Sequence, residues 1–486
     1  MKKKENTKRQ YTFANSIPPH ILKYLPPSIT GRGRGWVLED VALELSRRTD
    51  LDASFVLRQI EGWQRLRTKV PRWAEVEGIH FPPRLALEQC SGQPAAEYKA
   101  KVVQRLLASS PPPVCRGSLP IGFLPLDNEG STRGVGGGRG LGSWRWADLT
   151  GGMGVDFSFI APLFDHATYV EQREELVEAA RHNFPLLGLG NAEIIHGDGV
   201  EYLRTMEPVD LIFLDPARRD AHGGKTVFIE DCEPNVKELL PLLRSKGRFV
   251  MVKLSTMLDL HQTIATLPGI SEVHVFAAGG ECKDLLLVFG STKPSNPATV
   301  PCNSATAPSN SATKPGYSAT VPEASASGLV TEPAIFCADE HSTFTFTASQ
   351  EATATCQWAE TIEGYLYEPN PAIMKAGAYK TVALHYGVEK LHPNSHLYRS
   401  DRVTSDFPGR AFSIERTYTF SKADIKALTN DLKAEGGKAN LTVRNFPASV
   451  ADLRKKLKIK EGGNTYLFAT TDRNERKIIV RCKKIN

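Results

Sequence analysis

A chain of 486 residues, 41% of them hydrophobic, is long enough for two to four domains with cores of their own. The net charge of +6 at pH 7 is a mild basic excess, which permits a polyanionic partner but does not establish one. The eight cysteines form no C-x-x-C pair, and no apolar run approaches the ~18 residues of a membrane helix. This composition argues against a metal site, a disulfide scaffold and a membrane partner, and we expect a cytoplasmic protein.

The first part of the chain predicts a helical domain followed by a loop. Residues 1–12 are charged, and we expect them to be disordered. Residues 14–110 form the predicted N-terminal helical domain, and prolines and then glycines dominate the loop over residues 111–143. The amphipathic stretches of the helical domain lie over residues 36–48, 53–67 and 95–107.

Strands and helices alternate over residues 144–290. This alternation predicts a mainly parallel sheet with helices on both faces, which is an α/β fold. Polar residues follow several of the strands, at the edge where open α/β sheets bind ligands. The predicted strands cover residues 144–147, 167–170, 192–196, 209–214 and 248–254, and the clearest helices cover 173–184 and 235–243.

The most informative segment is Asp148-Leu-Thr-Gly-Gly-Met-Gly-Val-Asp156, which follows the first predicted strand. Its glycines allow a tight turn that a ligand can approach closely. Glu171 ends the second strand about 20 residues later, where a dinucleotide-type fold places an acid for ribose hydroxyls. Asp198 follows the third strand and Asp215 the fourth. The glycine spacing is Gly-Gly-x-Gly rather than G-x-G-x-x-G, which disfavours a nicotinamide-dependent dehydrogenase.

This ordered set resembles the class I S-adenosylmethionine-dependent methyltransferases, and the resemblance implies a Rossmann-like domain over residues 144–290. It implies that Asp148 lies near the amino group of the cofactor, that Glu171 binds the ribose and that Asp198 binds the adenine amine. The turn around the methionine part of the cofactor would be built by Thr150, Gly151, Gly152 and Gly154.

Asp215-Pro216-Ala217-Arg218 resembles the D/N-P-P-x motif that faces the methyl acceptor in that family. Asp215 would accept a hydrogen bond from the acceptor, and Pro216 would fix the turn that presents its carbonyl. Arg218 would clamp a phosphate, although a strand end with a solvated arginine beside it is the competing interpretation. Ala217 departs from the family pattern, which carries a second proline and then an aromatic ring that stacks on a flipped base. The acceptor atom therefore stays open.

A covalent mechanism is disfavoured, because no cysteine lies within residues 211–219 or 248–255. Lys253 lies at the end of the fifth predicted strand. Its side chain would either contact RNA or extend from the strand end so that the ammonium group reaches solvent. Both interpretations stay open.

Residues 291–356 are rich in Ser, Thr, Ala and Pro, with a Ser-Ala-Thr-x-Pro repeat every seven residues, and we expect a disordered linker. The remaining chain alternates strands and helices in a small α/β region. Basic residues concentrate on one of its strands and one of its helices, which favours contact with phosphates, although a solvated helix face is the competing interpretation. The predicted RNA-binding residues are Lys438, Arg444, Arg454, Lys455 and Lys456.

Residues 365–370 and 441–447, together with the segment 69–90, resemble a bacterial family of class I methyltransferases with a THUMP-like C-terminal domain. The resemblance implies a small ferredoxin-like module over residues 357–410 and a THUMP-like RNA-binding domain over 411–486.

The function that this resemblance implies is methylation of a base in structured RNA, tRNA or rRNA, with S-adenosylmethionine as the cofactor. No obligate protein partner is inferred. Two alternatives stay open: a methyltransferase that acts on a protein or small molecule, and a non-catalytic RNA-binding protein that retains the fold.

Overall fold

The computed structural model describes residues 53–109, 143–218, 229–290 and 332–485. The expectations for the N-terminal tail, for a helix over residues 36–48, and for nearly all of the loop over 111–143 lie outside these ranges. The first described elements are the helices α1 (Ala53–Lys69), α2 (Pro71–Glu75), α3 (Arg84–Gln89) and α4 (Gln93–Ala108).

These four helices do not form an isolated bundle. The buried side chains of Trp63, Leu66 and Trp73 share one apolar cluster with Val155 and Phe159 of the following α/β region. The indole nitrogen of Trp73 also donates to the hydroxyl of a buried serine in that region, 2.9 Å away. The helical segment is therefore anchored on the sheet domain by a common core.

The central element is a nine-stranded sheet in the order β11-β10-β8-β9-β7-β4-β1-β2-β3. Strands β3, β2, β1, β4 and β7 run parallel, whereas β9 is antiparallel to both of its neighbours, and β10 runs parallel to β8. The expected mainly parallel sheet is confirmed. The strands are β1 (Arg145–Asp148), β2 (His166–Glu171), β3 (Ala192–His196), β4 (Val209–Leu214), β7 (Gly247–Leu254), β8 (Ile270–Ala278), β9 (Glu281–Phe289), β10 (Ala334–Ala338) and β11 (Thr343–Phe346), and a separate short pair consists of β5 (Ala217–Arg218) and β6 (Cys232–Glu233).

Helices connect these strands, and polar caps define where several of them begin. The side chains of Asp198, Asn235 and Asp259 each accept hydrogen bonds from backbone N–H groups in the first turn of a helix. Such caps satisfy N–H groups that have no partner within the helix. The helices are α5 (Val155–Ile160), α6 (Glu174–Leu186), α7 (Gly199–Thr205), α8 (Val236–Lys246) and α9 (Leu260–Thr266).

The expectation of a disordered linker over residues 291–356 is wrong for its last part. Strand β10 pairs with β8, and Ile335 and Cys337 are fully buried opposite Val273 and Val275. Helix α10 (Ala348–Thr353) follows β11. The high Ser, Thr and Ala content concealed a strand with alternating buried residues, since threonine and small residues are compatible with strands when one face is covered.

The C-terminal region contains a second, seven-stranded sheet in the order β13-β14-β12-β15-β18-β17-β16. Strand β12 pairs antiparallel with β15, so the two expected C-terminal modules share one continuous sheet. The strands are β12 (Tyr365–Pro369), β13 (Glu389–Lys390), β14 (Tyr398–Ser400), β15 (Gly409–Thr419), β16 (Asn440–Val443), β17 (Thr465–Thr471) and β18 (Lys477–Lys484), and the helices are α11 (Pro371–Ala376), α12 (Tyr379–Tyr386), α13 (Lys422–Ala434) and α14 (Val450–Leu457).

The C-terminal region is packed directly on the nine-stranded sheet. Ile373 of α11 and Val382 of α12 belong to the same buried cluster as Val275 and Leu285 of that sheet. The three predicted regions therefore form one packed body in which helices from both ends of the chain cover the central sheet. Among the described helices, none has both the length and the apolar character needed to cross a bilayer.

Candidate active site

The glycine turn after β1 is folded back onto the end of β2. The backbone N–H of Gly152 donates to Glu171 Oε2 at 2.8 Å, and the Tyr169 hydroxyl donates to the Gly152 carbonyl at 2.5 Å. A Cβ atom at Gly151 would lie 2.2 Å from the Tyr169 ring, which leaves room only for glycine. The turn thus brings bare backbone to the carboxyl edge of the sheet.

Asp148 lies at the end of β1 with only 2% of its surface exposed, and its Oδ1 accepts a hydrogen bond from the Thr150 N–H at 3.0 Å. Burial raises the pKa of Asp148 well above its usual value, and the nearby carboxylates of Asp156, Asp215 and Glu171 raise it further. A cationic group beside Asp148 would relieve this repulsion and favour the carboxylate form. The buried acid therefore fits a positively charged ligand.

Two contacts join the glycine turn to neighbouring parts of the site. The Thr150 hydroxyl accepts a hydrogen bond from the Asp215 N–H at 2.7 Å, which links β1 to the turn after β4. A Cβ atom at Gly199 would lie 2.0 Å from the Leu149 carbonyl oxygen, so α7 begins in direct contact with the turn. Gly199 was not recognised from the sequence, because nothing local shows that a backbone from β1 approaches it.

The carboxylates of Glu171 and Asp198 both accept hydrogen bonds from backbone N–H groups. Glu171 Oε1 accepts from the Arg173 N–H at 2.9 Å, in addition to the bond of its other oxygen to Gly152. Asp198 Oδ1 caps α7 by accepting from the N–H groups of Val200 and Glu201 at 2.8 and 3.1 Å. These bonds fix both carboxylates at the carboxyl ends of β2 and β3.

The Asp-Pro turn after β4 contains an ion pair that was not predicted. Lys253 Nζ lies 2.5 Å from Asp215 Oδ2, and the exposed fractions of the two side chains are 12% and 37%. Burial lowers the pKa of Lys253, but the carboxylates of Asp215, Asp284 and Asp156 raise it more, so that it lies above its usual value. Lys253 is therefore an ammonium group that holds one oxygen of Asp215.

Arg218 has its backbone in β5, antiparallel to β6, and its side chain lies outside the described part of the structure. Its assignment as a phosphate clamp stays a prediction.

One cleft of about 1940 Å³ contains the predicted cofactor and acceptor residues. Twelve of the described lining residues are acidic and five are basic, so the described walls favour a cation over a phosphate. Lys69, Cys90 and Ser91 of the N-terminal helical segment also line it, which sequence reasoning missed because their partners are distant in the chain. The predicted residues in the cleft are Asp148, Thr150, Gly151, Gly152, Gly154, Glu171, Asp198, Asp215 and Pro216.

The predicted basic residues of the C-terminal region fall into two kinds. Arg444 pairs with Glu368, a carboxylate with 5% exposure, at 3.0 Å, and Arg454 pairs with Glu461 at 3.1 Å. These arginines are occupied by contacts within the chain and do not form a free cationic surface. The other three predicted residues, Lys438, Lys455 and Lys456, are exposed.

Lys456 and three lysines outside the predicted RNA-binding residues line a groove of about 390 Å³ between α13 and α14, which we call the lysine groove. Its charged lining residues are Lys422, Lys426, Lys456 and Lys458. Lys456 Nζ also lies 3.9 Å from the centroid of the Phe420 ring at one end. Within the described residues no acid lines this groove, so all of its charged lining residues are cationic, which favours an anionic ligand.

Comparisons with known proteins cover both the C-terminal region and the whole chain. Residues 365–408 match a family model described as a ferredoxin-like domain, and residues 409–484 match one described as THUMP domain-like. The solved structure of a proposed methyltransferase from Porphyromonas gingivalis W83 is 31% identical and has a TM-score of 0.68, with 90% of this chain and 93% of that chain covered. An uncharacterised RNA methyltransferase from Clostridium tetani is 29% identical over 136 residues, and this match spans 25% of the chain and 30% of that relative.

Proposed function

The chain belongs to the family of bacterial class I methyltransferases with a THUMP-like C-terminal domain, and we propose that it methylates a base of structured RNA, tRNA or rRNA, with S-adenosylmethionine as the methyl donor. The observation that carries this proposal is the division of charge between two surfaces. The cleft at the carboxyl edge of the central sheet is acidic in its described part, whereas all the charged residues described in the lining of the lysine groove are lysines.

The cleft residues fit S-adenosylmethionine. When bound, this cofactor supplies a methyl group activated by a sulfonium. The bare backbone of Gly151 and Gly152 would pack against its methionine part, and the buried Asp148 would receive its ammonium group. Glu171 and Asp198 stand at the ends of the adjoining strands, where they would hold the ribose and the adenine amine.

On the acceptor side, Asp215 would orient the base. Lys253 holds Oδ2 of Asp215, so Oδ1 is the oxygen that would accept a hydrogen bond from an N–H of the base. The hydrogen bond from the Asp215 backbone to Thr150 fixes the acceptor turn against the turn that would hold the cofactor. Because in-line methyl transfer depends mainly on alignment, this connection would account for much of the catalysis.

The RNA part of the proposal rests on the lysine groove. The phosphodiester backbone carries one charge per nucleotide, and exposed ammonium groups bind it through release of counterions. The described cleft walls would repel phosphates, so affinity for RNA must come from another surface. Lys422, Lys426, Lys456 and Lys458 provide one in the THUMP-like domain. The C. tetani relative, which matches 25% of this chain, is described as an RNA methyltransferase, and this also favours RNA as the substrate class.

The first test is cofactor binding followed by methyl transfer. Calorimetric titration with S-adenosylmethionine should show saturable binding that is at least tenfold weaker in the Asp148→Ala variant. Isotopically labelled methyl groups should then enter total tRNA or rRNA with the wild type but not with Asp215→Asn. Labelling of protein or small molecules alone would support the alternative substrate classes, and absence of cofactor binding would support a non-catalytic protein.

The second test isolates RNA binding from chemistry. Reversing two groove charges with Lys422→Glu and Lys426→Glu should weaken RNA binding and reduce the slope of log K against log salt by about 1.4 for single strands or 1.8 for duplexes. The matched control reverses the charges of two exposed lysines that neither line the groove nor belong to the predicted RNA-binding residues, Lys433 and Lys484. Equal losses in both double variants would assign the effect to net charge and reject the groove.

A further inference from the structure

A buried lysine from the N-terminal helices contacts two carboxylates that line the cleft, Asp156 and Asp284. Lys99 of α4 has 1% of its surface exposed and lies on the apolar face of its helix, beside Val102 and Val103. Its ammonium group pairs with Asp284 of β9 and lies 3.2 Å from Asp156 Oδ1. A buried ammonium group is stable only when carboxylates or other acceptors surround it, and here two carboxylates do so.

The same two carboxylates also act on the ion pair of the acceptor turn. Asp156 and Asp284 are among the carboxylates that raise the pKa of Lys253, which pairs with Asp215 at 2.5 Å. Strand pairing places these groups side by side, since Lys253 of β7 lies opposite Leu286 of β9 and Asp284 stands two residues from Leu286 on the same face of that strand. Positive and negative groups therefore alternate from the N-terminal helix to the acceptor turn, in the order Lys99, the pair Asp156 and Asp284, Lys253 and Asp215.

We propose that Lys99 is a positioning residue for the methyl-acceptor turn: by neutralising Asp156 and Asp284 it leaves Lys253 in place on Asp215. This inference rests on the proposed function, because it takes Asp215 as the residue that orients the acceptor. It also gives the N-terminal helical segment a part in the reaction, in addition to its packing against the sheet.

Asp156, Asp284 and Asp215 would compete for the single ammonium group of Lys253 if Lys99 were absent. The side chains of Asp284 and Asp156 are only 7% and 11% exposed, whereas that of Asp215 is 37% exposed and can be hydrated. Removing one member of a buried ion pair leaves an uncompensated charge, which is unfavourable. Without Lys99, the buried carboxylates would draw Lys253 away from the more exposed Asp215.

A shift in pH dependence follows from this displacement. The charged groups that face Asp215 in the described structure are Lys253 from β7, Asp156 from α5, Asp284 from β9 and Asp148 from β1. Burial raises the pKa of Asp215, Lys253 lowers it, and Asp156 and Asp284 raise it. Displacement of Lys253 would remove the lowering contact, so Asp215 would become protonated at a higher pH and lose the negative charge that makes it a strong hydrogen-bond acceptor.

The test compares the pH profiles of kcat/KM for the variants Lys99→Met, Lys99→Arg and Lys99→Met with Asp284→Asn. In Lys99→Met the acidic limb of the profile should move to higher pH by about one unit. At a pH on that limb kcat/KM should therefore fall about tenfold, and at higher pH it should fall less. Lys99→Arg retains the charge and should stay closer to the wild type. The double variant removes the competing carboxylate, and its acidic limb should return toward the wild-type position.

A purely structural role for Lys99 predicts a different result, namely a loss that is the same at every pH and that Asp284→Asn does not repair. That outcome would overturn the proposal. Crystal structures of the variants give a readout that needs no activity. Lys253 Nζ should leave Asp215 in Lys99→Met and return in the double variant, and an intact Lys253–Asp215 pair in Lys99→Met would equally overturn it. An inactive wild type would instead reject the proposed function.

Discussion

Substitution of Gly199 by alanine tests whether the start of α7 positions the cofactor site. The added Cβ atom would lie 2.0 Å from the Leu149 carbonyl oxygen and 2.9 Å from its carbonyl carbon. Real Cβ atoms are essentially never closer than 3.0 Å to another heavy atom, so α7 and the turn after β1 must separate by at least 1 Å. Backbone atoms form both sides of this contact, so no side-chain rotation can relieve it.

The size of the effect follows from that displacement. Overpacking of this kind costs about 1–3 kcal/mol of folding free energy. The movement also separates Asp198 from Asp148, the two acids proposed to hold opposite ends of the cofactor. A misplacement of about 1 Å can cost about a hundredfold in a reaction that depends on alignment. We expect at least tenfold weaker S-adenosylmethionine binding, measured by calorimetry beside urea unfolding.

Gly190 provides the matched control, because it does not line the cleft and no atom lies within 4 Å of its added Cβ. Gly190→Ala should therefore leave both the unfolding free energy and the cofactor affinity close to the wild-type values. If Gly199→Ala binds the cofactor as tightly as Gly190→Ala, the contact between α7 and the β1 turn has no part in the site.

Two further predictions concern stability. Burial raises the pKa of Glu272, but hydrogen bonds from His274 and Arg105 lower it to about 2. A carboxyl group with a depressed pKa stabilises the folded state above its unfolded pKa and loses that contribution as the pH falls toward 2. Urea unfolding of Glu272→Gln should therefore depend less on pH between about 5 and 2 than that of the wild type. Ile335→Ala should cost about 2–5 kcal/mol in the same measurement because Ile335 is fully buried in β10, whereas an unchanged unfolding free energy would show that this strand does not belong to the core.

The sequence predicted the central strands closely because each is a short apolar run that ends at a polar residue or a glycine. The predicted strands over residues 192–196 and 209–214 coincide with β3 and β4, and the one over 248–254 differs from β7 by one residue. A strand of a parallel sheet is buried on both faces, so its sequence is a nearly continuous apolar run. Such a run can be recognised from the local composition alone. Asp148 and Asp215 were predicted as site residues for the same reason, since Asp148 ends β1 and Asp215 directly follows β4.

Contacts between distant segments were not predictable in this way. Lys99 and Asp284 are 185 residues apart, and the sequence shows only that a lysine falls on the apolar face of a helix. That position is itself a signal, because a lysine in such a stripe needs a buried partner. The pairing of Arg444 with Glu368 is also long-range, and it removes from the predicted RNA surface a residue that composition alone counted as free.

The separation of the two charged surfaces is a consequence of the reaction that we propose. A cationic cofactor is held best among buried carboxylates, and the same carboxylates repel an RNA backbone. A single site could not favour both, so affinity for RNA must be placed outside the cleft, and the lysine groove meets that need with exposed cations. Salt screens exposed charges far more than buried ones. It follows that increasing salt should release the RNA while changing cofactor affinity little, and the two binding steps can be separated by ionic strength alone.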